Sequence, residues 1–202
     1  MLATTLRPFT EDSWLFELKY DGFRILVLKE GKAVRLLSRN GNDLADRFPE
    51  IVKDVATLKA DVAIDGELVV ADEERYPSFY QVRRRAVMTS LRNVQKAANE
   101  HPAHVMAFDI LALDERDVRK EPLLERKKIL RSVLGKKKRR LTFVDFVERE
   151  GEMLFEVTKQ LGLEGAMAKR CDSVYRAGKT RDWLKIKTAI GKEREAKRFE
   201  DR

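Results

Sequence analysis

The sequence predicts an α+β fold in which two antiparallel sheets pack with flanking helices. Short runs of β-type residues separated by turn residues fill the first half of the chain, and apolar residues recur at helical spacing in other segments. The two patterns do not alternate as strict βαβ units, which argues against a parallel sheet. A chain of 202 residues can bury one substantial core, or at most two small lobes that share a cleft.

Local patterns place the individual elements. The Asp-Gly pair at residues 21–22 and Gly31 both suit hairpin turns, because they tolerate positive φ. Pro49 stands where a helix begins, and Gly162 stands where one ends. The predicted strands are residues 14–20, 23–29, 33–39, 62–70, 105–113, 165–170 and 183–187, and the predicted helices lie near residues 48–58, 123–134 and 153–161.

The net charge of +8 favours a polyanionic partner such as nucleic acid, although the same charge also serves solubility. The densest basic run, residues 126–140, contains leucines at helical spacing, so many of its cations are expected on a solvated helix face. Residues 136–140 follow Gly135 and are predicted to form a basic loop. This loop and the arginines at residues 83–85 are expected to be available to phosphates.

Several classes of protein are excluded by composition. No run approaches the roughly 18 apolar residues of a membrane span, and Arg7 and Glu11 interrupt any signal-peptide core. Cys171 is the single cysteine, which rules out an internal disulfide and predicts a cytoplasmic protein. With only Cys171, His101 and His104 as candidate ligands, a structural zinc site is not expected.

Five short motifs carry the chemistry, and they resemble the signature of the covalent nucleotidyltransferases, the family of DNA ligases, RNA ligases and mRNA capping enzymes. The first motif, K-x-D-G-x-R, is weak evidence alone, but five motifs in the family's order are specific. The motifs are KYDGFR at residues 19–24, DGEL at 65–68, FDIL at 108–111, EGAMAK at 164–169 and WLKIK at 183–187.

Within that family, the chain looks most like the ligase module of bacterial end-joining proteins. The resemblance covers residues 1 to about 188, which implies an adenylation domain at residues 1–188 arranged around a nucleotide cleft. Residues 189–202 are then a charged tail, either a solvated helix or disordered, and the oligonucleotide-binding domain of such ligases is not expected in this chain. The segments that carry this closer likeness are MLAT at residues 1–4, WLFE at 14–17, SRNG at 38–41, RFP at 47–49 and DWLKIK at 182–187.

The resemblance implies that Lys19 attacks the α-phosphorus of ATP and becomes covalently linked to AMP. A lysine amine suits this role once it is neutral, and nearby cations such as Lys185 and Lys187 favour the neutral amine. By the same likeness, Lys185 and Lys187 contact the α-phosphate and Arg181 contacts the nucleotide. Glu164 matches a carboxylate near the divalent metal, which would be Mg²⁺ or Mn²⁺.

The remaining candidates are also carried over from the family. Glu17 is expected to contact adenine, and Glu67 to bind the ribose hydroxyls and contribute to the metal site. Phe108 is expected to stack on the base. Arg24 and Arg39 are expected to grip the sugar or the 5′-phosphate of a nick, because a guanidinium binds phosphate bidentately.

For some of these residues a purely structural role is the alternative interpretation. Phe108 lies in an apolar run and could be a core residue, and Asp65 and Asp109 are expected to hold turns or strand ends. Lys169 either contacts phosphate or balances Glu164. A catalytic role for His101 or His104 is not expected.

The resemblance implies a monomeric ATP-dependent DNA ligase domain that acts on nicked double-stranded DNA in repair and end joining, with possible end-joining partner proteins and no membrane. Two alternatives stay open: an RNA ligase or other covalent nucleotidyltransferase, and a non-catalytic domain that binds nicked ends.

Overall fold

The computed structural model describes residues 2–5, 7–135 and 140–200, and its strands form two separate sheets. The strands are β1 (Leu2–Thr5), β2 (Trp14–Leu18), β3 (Phe23–Glu30), β4 (Ala33–Ser38), β5 (Val62–Val70), β6 (Ala103–Leu113), β7 (Arg116–Asp117), β8 (Leu141–Phe143), β9 (Phe146–Glu148), β10 (Gly165–Arg170) and β11 (Thr180–Lys187). The helices are α1 (Pro49–Val55), α2 (Phe79–Ala86), α3 (Leu91–Glu100), α4 (Leu123–Leu134), α5 (Gly151–Gln160) and α6 (Ala189–Glu200).

The chain divides into two units, each built on one sheet. The first unit comprises Met1–Tyr20, Glu121–Leu124 and Val144–Arg202, and the second comprises Asp21–Lys120 and Glu125–Phe143. Most strand pairs in both sheets are antiparallel, so the predicted α+β class is confirmed. The exceptions are the parallel pairs β1–β11 and β6–β8.

The sheet of the first unit has the order β1-β11-β10-β2-β9. Every second residue of its central strands is apolar, and Phe16, Ala168 and Ile186 therefore form a small buried core with Trp14 on one face. The partly buried Leu154 and Phe155 of α5 pack against this core. The opposite face of the same strands carries polar side chains.

The sheet of the second unit has the order β4-β3-β5-β6-β7, with β8 beside β6. Its larger core joins strand residues such as Val27 and Ile64 to Ile51 and Val55 of α1 and Leu130 of α4. The strands Val62–Val70 and Gly165–Arg170 end where the sequence predicts, and α1, α4 and α5 confirm the predicted helices.

The predicted hairpin at residues 21–22 is wrong. β2 pairs with β9 and β10, whereas β3 pairs with β4 and β5 of the other sheet. A Cβ on Gly22 would lie 2.2 Å from the carbonyl oxygen of Leu68. Glycine at this position therefore permits a close approach between backbones, and the local Asp-Gly signal does not reveal that the two strands separate.

The expectation for the basic segments also needs correction. Arg126 is fully buried in an ion pair with Asp109, and Lys127 is 1% exposed with Nζ 5.0 Å from the ring centroid of Phe143. Arg85 is also buried, and the Glu50 carboxylate accepts two hydrogen bonds from its guanidinium. Arg83 and Arg84 of α2 remain exposed, and residues 136–139 of the predicted basic loop lie outside the described residues.

Two further outcomes concern the chain as a whole. The charged C-terminal segment forms α6, which selects the helix from the two alternatives for that segment. In the described ranges, the helices are all too short or too polar to cross a membrane.

Candidate active site

The register of the first sheet gathers several predicted site residues on its polar face. Met167 of β10 is paired with Glu17 on one side and with Lys185 on the other. Gly165 is paired with Lys187, one step further along the same face. Because side chains alternate across a strand, the K-x-K spacing in β11 places both lysines on this face.

Lys19 continues this face just beyond β2, since its backbone N–H donates to the carbonyl oxygen of Gly165 at 2.9 Å. Its Nζ forms an ion pair with the Glu164 carboxylate at 2.6 Å. The Lys19 side chain is 13% exposed and that of Glu164 is 2% exposed. The predicted nucleophile and the predicted metal-site carboxylate are therefore in direct contact, and the amine keeps limited access to solvent.

The pKa of Lys185 is shifted by burial and by neighbouring charges. Burial, and then the positive charges of Lys19 and Lys187, lowers its pKa below the ordinary lysine value, whereas Glu195 and Glu164 act in the opposite direction. The three lysines consequently share one electrostatic environment. Lys187 itself is buried and forms an ion pair with Glu195 of α6.

A second lysine–glutamate pair lies on the same face. Lys169 Nζ donates to Glu17 Oε2 at 2.6 Å, both side chains are 2% exposed, and Nζ is 4.2 Å from the ring centroid of Trp183. Of the two alternatives for Lys169, a pair with Glu164 is not found among the described residues, because the β2–β10 register places Lys169 diagonally across from Glu17. Glu17 therefore orients Lys169 in addition to any contact with a base. The alternative contact of Lys169 with a phosphate stays a prediction.

Arg24, Asp65 and Glu67 lie together on one face of the second sheet. Arg24 is directly opposite Glu67, and its guanidinium binds Asp65 through Nε at 3.0 Å and Nη2 at 2.6 Å. Asp65 therefore does not hold a turn; it fixes the orientation of a guanidinium whose side chain is still 40% exposed. This arrangement leaves Arg24 accessible to a phosphate.

Phe108 joins this group because of an irregularity in β6. The register between β5 and β6 shifts between Asp65 and Gly66, and Phe108 is the extra residue on β6. Such bulges redirect a side chain. Its ring centroid is 5.9 Å from Cζ of Arg24, and the ring is only partly buried, so Phe108 is not a core residue. Asp109, by contrast, pairs with Arg126 in the interior and does not hold a strand end.

Two further predicted arginines, Arg39 and Arg181, are exposed. Arg39 lies in the turn after β4, and Arg181 lies in β11 on the side of Lys185 and Lys187. Neither forms an ion pair with another residue in the described ranges. Their roles stay predictions.

Comparison with known proteins identifies the family. Residues 1–187 match the family model described as ATP dependent DNA ligase domain. The chain belongs to this family. The description of this family states that its members depend on ATP.

Individual relatives agree with this assignment. The ligase domain is 34% identical over 195 residues to the multifunctional non-homologous end joining protein LigD of Pseudomonas aeruginosa, covering 95% of this chain and 22% of that protein. It is 33% identical over 178 residues to DNA ligase C1 of Mycolicibacterium smegmatis, covering 86% of this chain and 51% of that protein. The chain thus spans between about a fifth and a half of these relatives.

Solved structures support the same fold. Mycobacterial DNA ligase D complexed with ATP and MES superposes with a TM-score of 0.74 at 30% identity, over 92% of this chain and 59% of that one. The ATP-dependent DNA ligase of bacteriophage T7, in complex with ATP, gives a TM-score of 0.62 at 19% identity, over 94% of this chain and 68% of that one, which shows a shared fold.

The acidic residues of the ligase domain fit a metal ion only in company with a nucleotide. Within the part of the chain that the structure describes, no three His, Cys, Asp or Glu residues cluster as metal ligands. Mg²⁺ commonly binds one or two carboxylates together with substrate phosphates and water. Glu164 and Glu67 are the two carboxylates that the sequence predicts for such a site, and this assignment stays a prediction.

Sequence reasoning missed two features close to the predicted site lysines. Glu195 lies in a segment of alternating charges that carries no motif, and only the path of α6 brings it to Lys187. Tyr20, inside the first motif, has its pKa raised by burial, with smaller contributions from Glu17 and Asp145. Its phenol therefore stays neutral at physiological pH.

Proposed function

We propose that this domain transfers AMP from ATP to its own Lys19 and then to the 5′-phosphate of a nick in double-stranded DNA. The observation that supports the proposal best is the contact between Lys19 and Glu164 on a sheet face that also carries Lys185 and Lys187. A nucleophilic amine, an adjacent carboxylate and two further cations are the groups that such a transfer needs.

In the first step, Lys19 Nζ attacks the α-phosphorus of ATP. The N–P bond forms, the bond from the α-phosphorus to the bridging oxygen breaks, and pyrophosphate leaves with the electron pair. The amine must give up a proton before it attacks, and the Glu164 carboxylate, 2.6 Å away, is the group in contact with it. Lys185 and Lys187 would stabilise the negative charge that accumulates on the phosphoryl oxygens.

A bound Mg²⁺ would neutralise part of the triphosphate charge. The carboxylate of Glu164 in the first unit and, separately, that of Glu67 in the second unit are the metal ligands that we propose. In the second unit, Asp65 holds Arg24 in a fixed orientation, which suits a bidentate phosphate contact. Phe108 offers an apolar face to the adenine, and Glu67 accepts hydrogen bonds from the ribose. Arg39 and Arg181 supply further exposed guanidinium groups.

The later steps involve DNA. The 5′-phosphate of the nick displaces Lys19 from the AMP, and the 3′-hydroxyl then attacks that phosphate and releases AMP. The names of the relatives, a DNA ligase and a multifunctional end-joining protein, support DNA as the acceptor and repair by end joining as the context. We further propose a monomer in the cytoplasm that works with end-joining partner proteins.

Intact-mass analysis after incubation with ATP and Mg²⁺ tests the first step. We expect a mass increase of one AMP, which Lys19→Ala should abolish while Lys128→Ala leaves it unchanged, because Lys128 is exposed and pairs with Glu125 on its own helix. An adduct that persists in Lys19→Ala would refute the assignment of the nucleophile. GTP should label the protein far less than ATP; equal labelling would favour a different covalent nucleotidyltransferase.

The salt dependence of binding to a nicked duplex tests the contact with DNA. If about four phosphates are neutralised, log affinity should fall with log salt at a slope of roughly −3.6. Replacing Arg83 and Arg84 with alanine should change the slope to roughly −1.8, because two contacts are lost. The control replaces Lys128 and Lys159, which pair with Glu125 and Glu156. The same change in both double variants would show that only net charge matters.

A further inference from the structure

The first turn of α6 is anchored against the backbone of Glu164, the residue whose carboxylate pairs with the candidate nucleophile. A Cβ on Gly191 would lie 2.0 Å from the carbonyl oxygen of Glu164, so only glycine permits this approach. The Gly191 N–H donates to Thr188 Oγ1 at 3.1 Å, and the Thr188 hydroxyl donates to the carbonyl oxygen of Leu163 at 2.8 Å. These contacts fix the direction in which α6 leaves the sheet.

Glu195 follows Gly191 by one helical turn and therefore lies on the same side of α6. Its carboxylate pairs with Nζ of Lys187, whose side chain is 5% exposed, whereas the Glu195 side chain is 41% exposed. The hydrogen bond from Lys187 is the largest cause that lowers the pKa of Glu195; the charges of Lys187, Lys185 and Lys19 contribute further. The carboxylate is thus ionised at neutral pH and lies within the field of all three lysines.

A buried ammonium needs an anionic partner, and Lys187 has two candidates: Glu195 and the phosphate of a nucleotide. The two anions repel each other if both approach the same Nζ. Glu195 is the exposed member of its pair, so it can turn towards water when a phosphate arrives. A nucleotide whose phosphate binds Lys187 would therefore replace an existing ion pair, which would weaken its apparent affinity.

We propose that Glu195 competes with the phosphates of ATP for Lys187 and thereby sets the affinity of the domain for the nucleotide. This proposal rests on the proposed function in one respect: the phosphate-binding role of Lys187. Glu195 is a positioning residue here, since it acts through Lys187 and takes no part in bond making.

The test compares Glu195→Gln with Glu193→Gln. Both changes remove one negative charge from α6, but Glu193 is exposed and pairs with Lys197 on its own helix. We expect Glu195→Gln to lower the KM for ATP in self-adenylation by about threefold to fivefold, with little change in the rate at saturation. The difference should shrink as ionic strength rises, because the competing pair is partly exposed. Glu193→Gln should match the unmodified protein.

Two separate measurements distinguish this inference from the proposed function. Calorimetry measures the binding of tripolyphosphate, and of ATP in a Lys19→Ala background that cannot form the adduct, with and without Glu195→Gln; intact mass measures the adduct in protein that keeps Lys19. Tighter polyphosphate binding in Glu195→Gln, with no adduct on Lys19 in the protein that keeps it, would uphold the competition and refute the nucleophile. Normal adduct formation with unchanged or weaker binding in Glu195→Gln would overturn the competition. A lower melting temperature in Glu195→Gln with unchanged affinity would show that the pair only fastens α6.

Discussion

The first sheet carries two lysine–glutamate pairs of the same length in different surroundings. Lys19 and Glu164 are 2.6 Å apart, as are Lys169 and Glu17. Lys169 is 2% exposed and its Nζ lies against the ring of Trp183, whereas Lys19 is 13% exposed. Lys19 also lies close enough to Lys185 to lower the pKa of that residue.

This difference separates a pair suited to reaction from a pair suited to structure. An enclosed ion pair is held in place by the cost of leaving either charge buried alone. A partly accessible amine among other cations can meet an incoming phosphate and exchange its partner. The surroundings, and not the type or distance of the partner, therefore distinguish the two lysines.

The largest effect that we expect is a loss of folding stability when the enclosed pair, Lys169 and Glu17, is broken. Lys169→Met leaves the Glu17 carboxylate buried without its cation and should lower the free energy of unfolding by about 3–5 kcal/mol. Chemical denaturation measures this change, provided that the slope with denaturant stays constant.

Lys29→Met is the matched control for that change. Lys29 is 5% exposed, but its partner Asp61 is 45% exposed and stays hydrated when the lysine is removed. The loss of stability in Lys29→Met should therefore be smaller. Equal losses in the two variants would mean that the enclosure of the Glu17–Lys169 pair adds nothing.

A second experiment tests whether Glu17 of the enclosed pair also contributes to the specificity for adenine. Glu17→Gln should reduce the preference for ATP over GTP in labelling if Glu17 contacts adenine as well as Lys169. The ratio of the two labelling efficiencies is the measurement, because it does not depend on the fraction of folded protein. An unchanged ratio, accompanied by lower stability, would restrict Glu17 to a structural role.

The smallest expected effect is a change in the pH dependence of stability, which we attribute to Lys185. The pKa of Lys185 is lowered in the folded state, so the unfolded chain binds more protons between that pKa and the ordinary value of 10.5. Stability should therefore rise with pH across this window, and charged Lys185 should reduce stability below it.

Lys185→Gln should remove that rise with pH and increase stability at neutral pH. Unfolding free energies measured from neutral pH to 10.5 test this expectation, with Lys128→Gln as an exposed control. If Lys185→Gln keeps the pH slope of the unmodified protein, the lysines do not share one electrostatic environment.

Local sequence patterns were sufficient for much of the fold. The bounds of Val62–Val70 and Gly165–Arg170 agree with prediction, and Gly31 adopts the expected positive φ of 55°. The alternation of apolar residues and the choice of turn residues depend on neighbouring residues only, and tertiary contacts do not override them in these two strands and this turn. The Asp-Gly turn failed because strand pairing joins residues far apart in the chain, which a dipeptide cannot encode.

The candidate site divides in the same way. Motif order identified Lys19, Glu164, Lys185 and Lys187, and the structure brings all four together. The partners of other charged residues were not predictable, because an ion pair depends on register and burial. Lys169 pairs with Glu17, Arg85 with Glu50, and Asp109 with Arg126.

The sequence by itself determined the family, the order of its motifs and the residue types that the chemistry requires. Only the tertiary structure decided which lysine is enclosed and which is accessible. It also decided which carboxylate forms an ion pair with each lysine. It further decided that a bulge presents Phe108 beside Arg24 and that α6 brings Glu195 to Lys187. The physical reason is that residue identity specifies what a group can do, whereas burial and neighbouring charges, set by distant parts of the chain, specify its state.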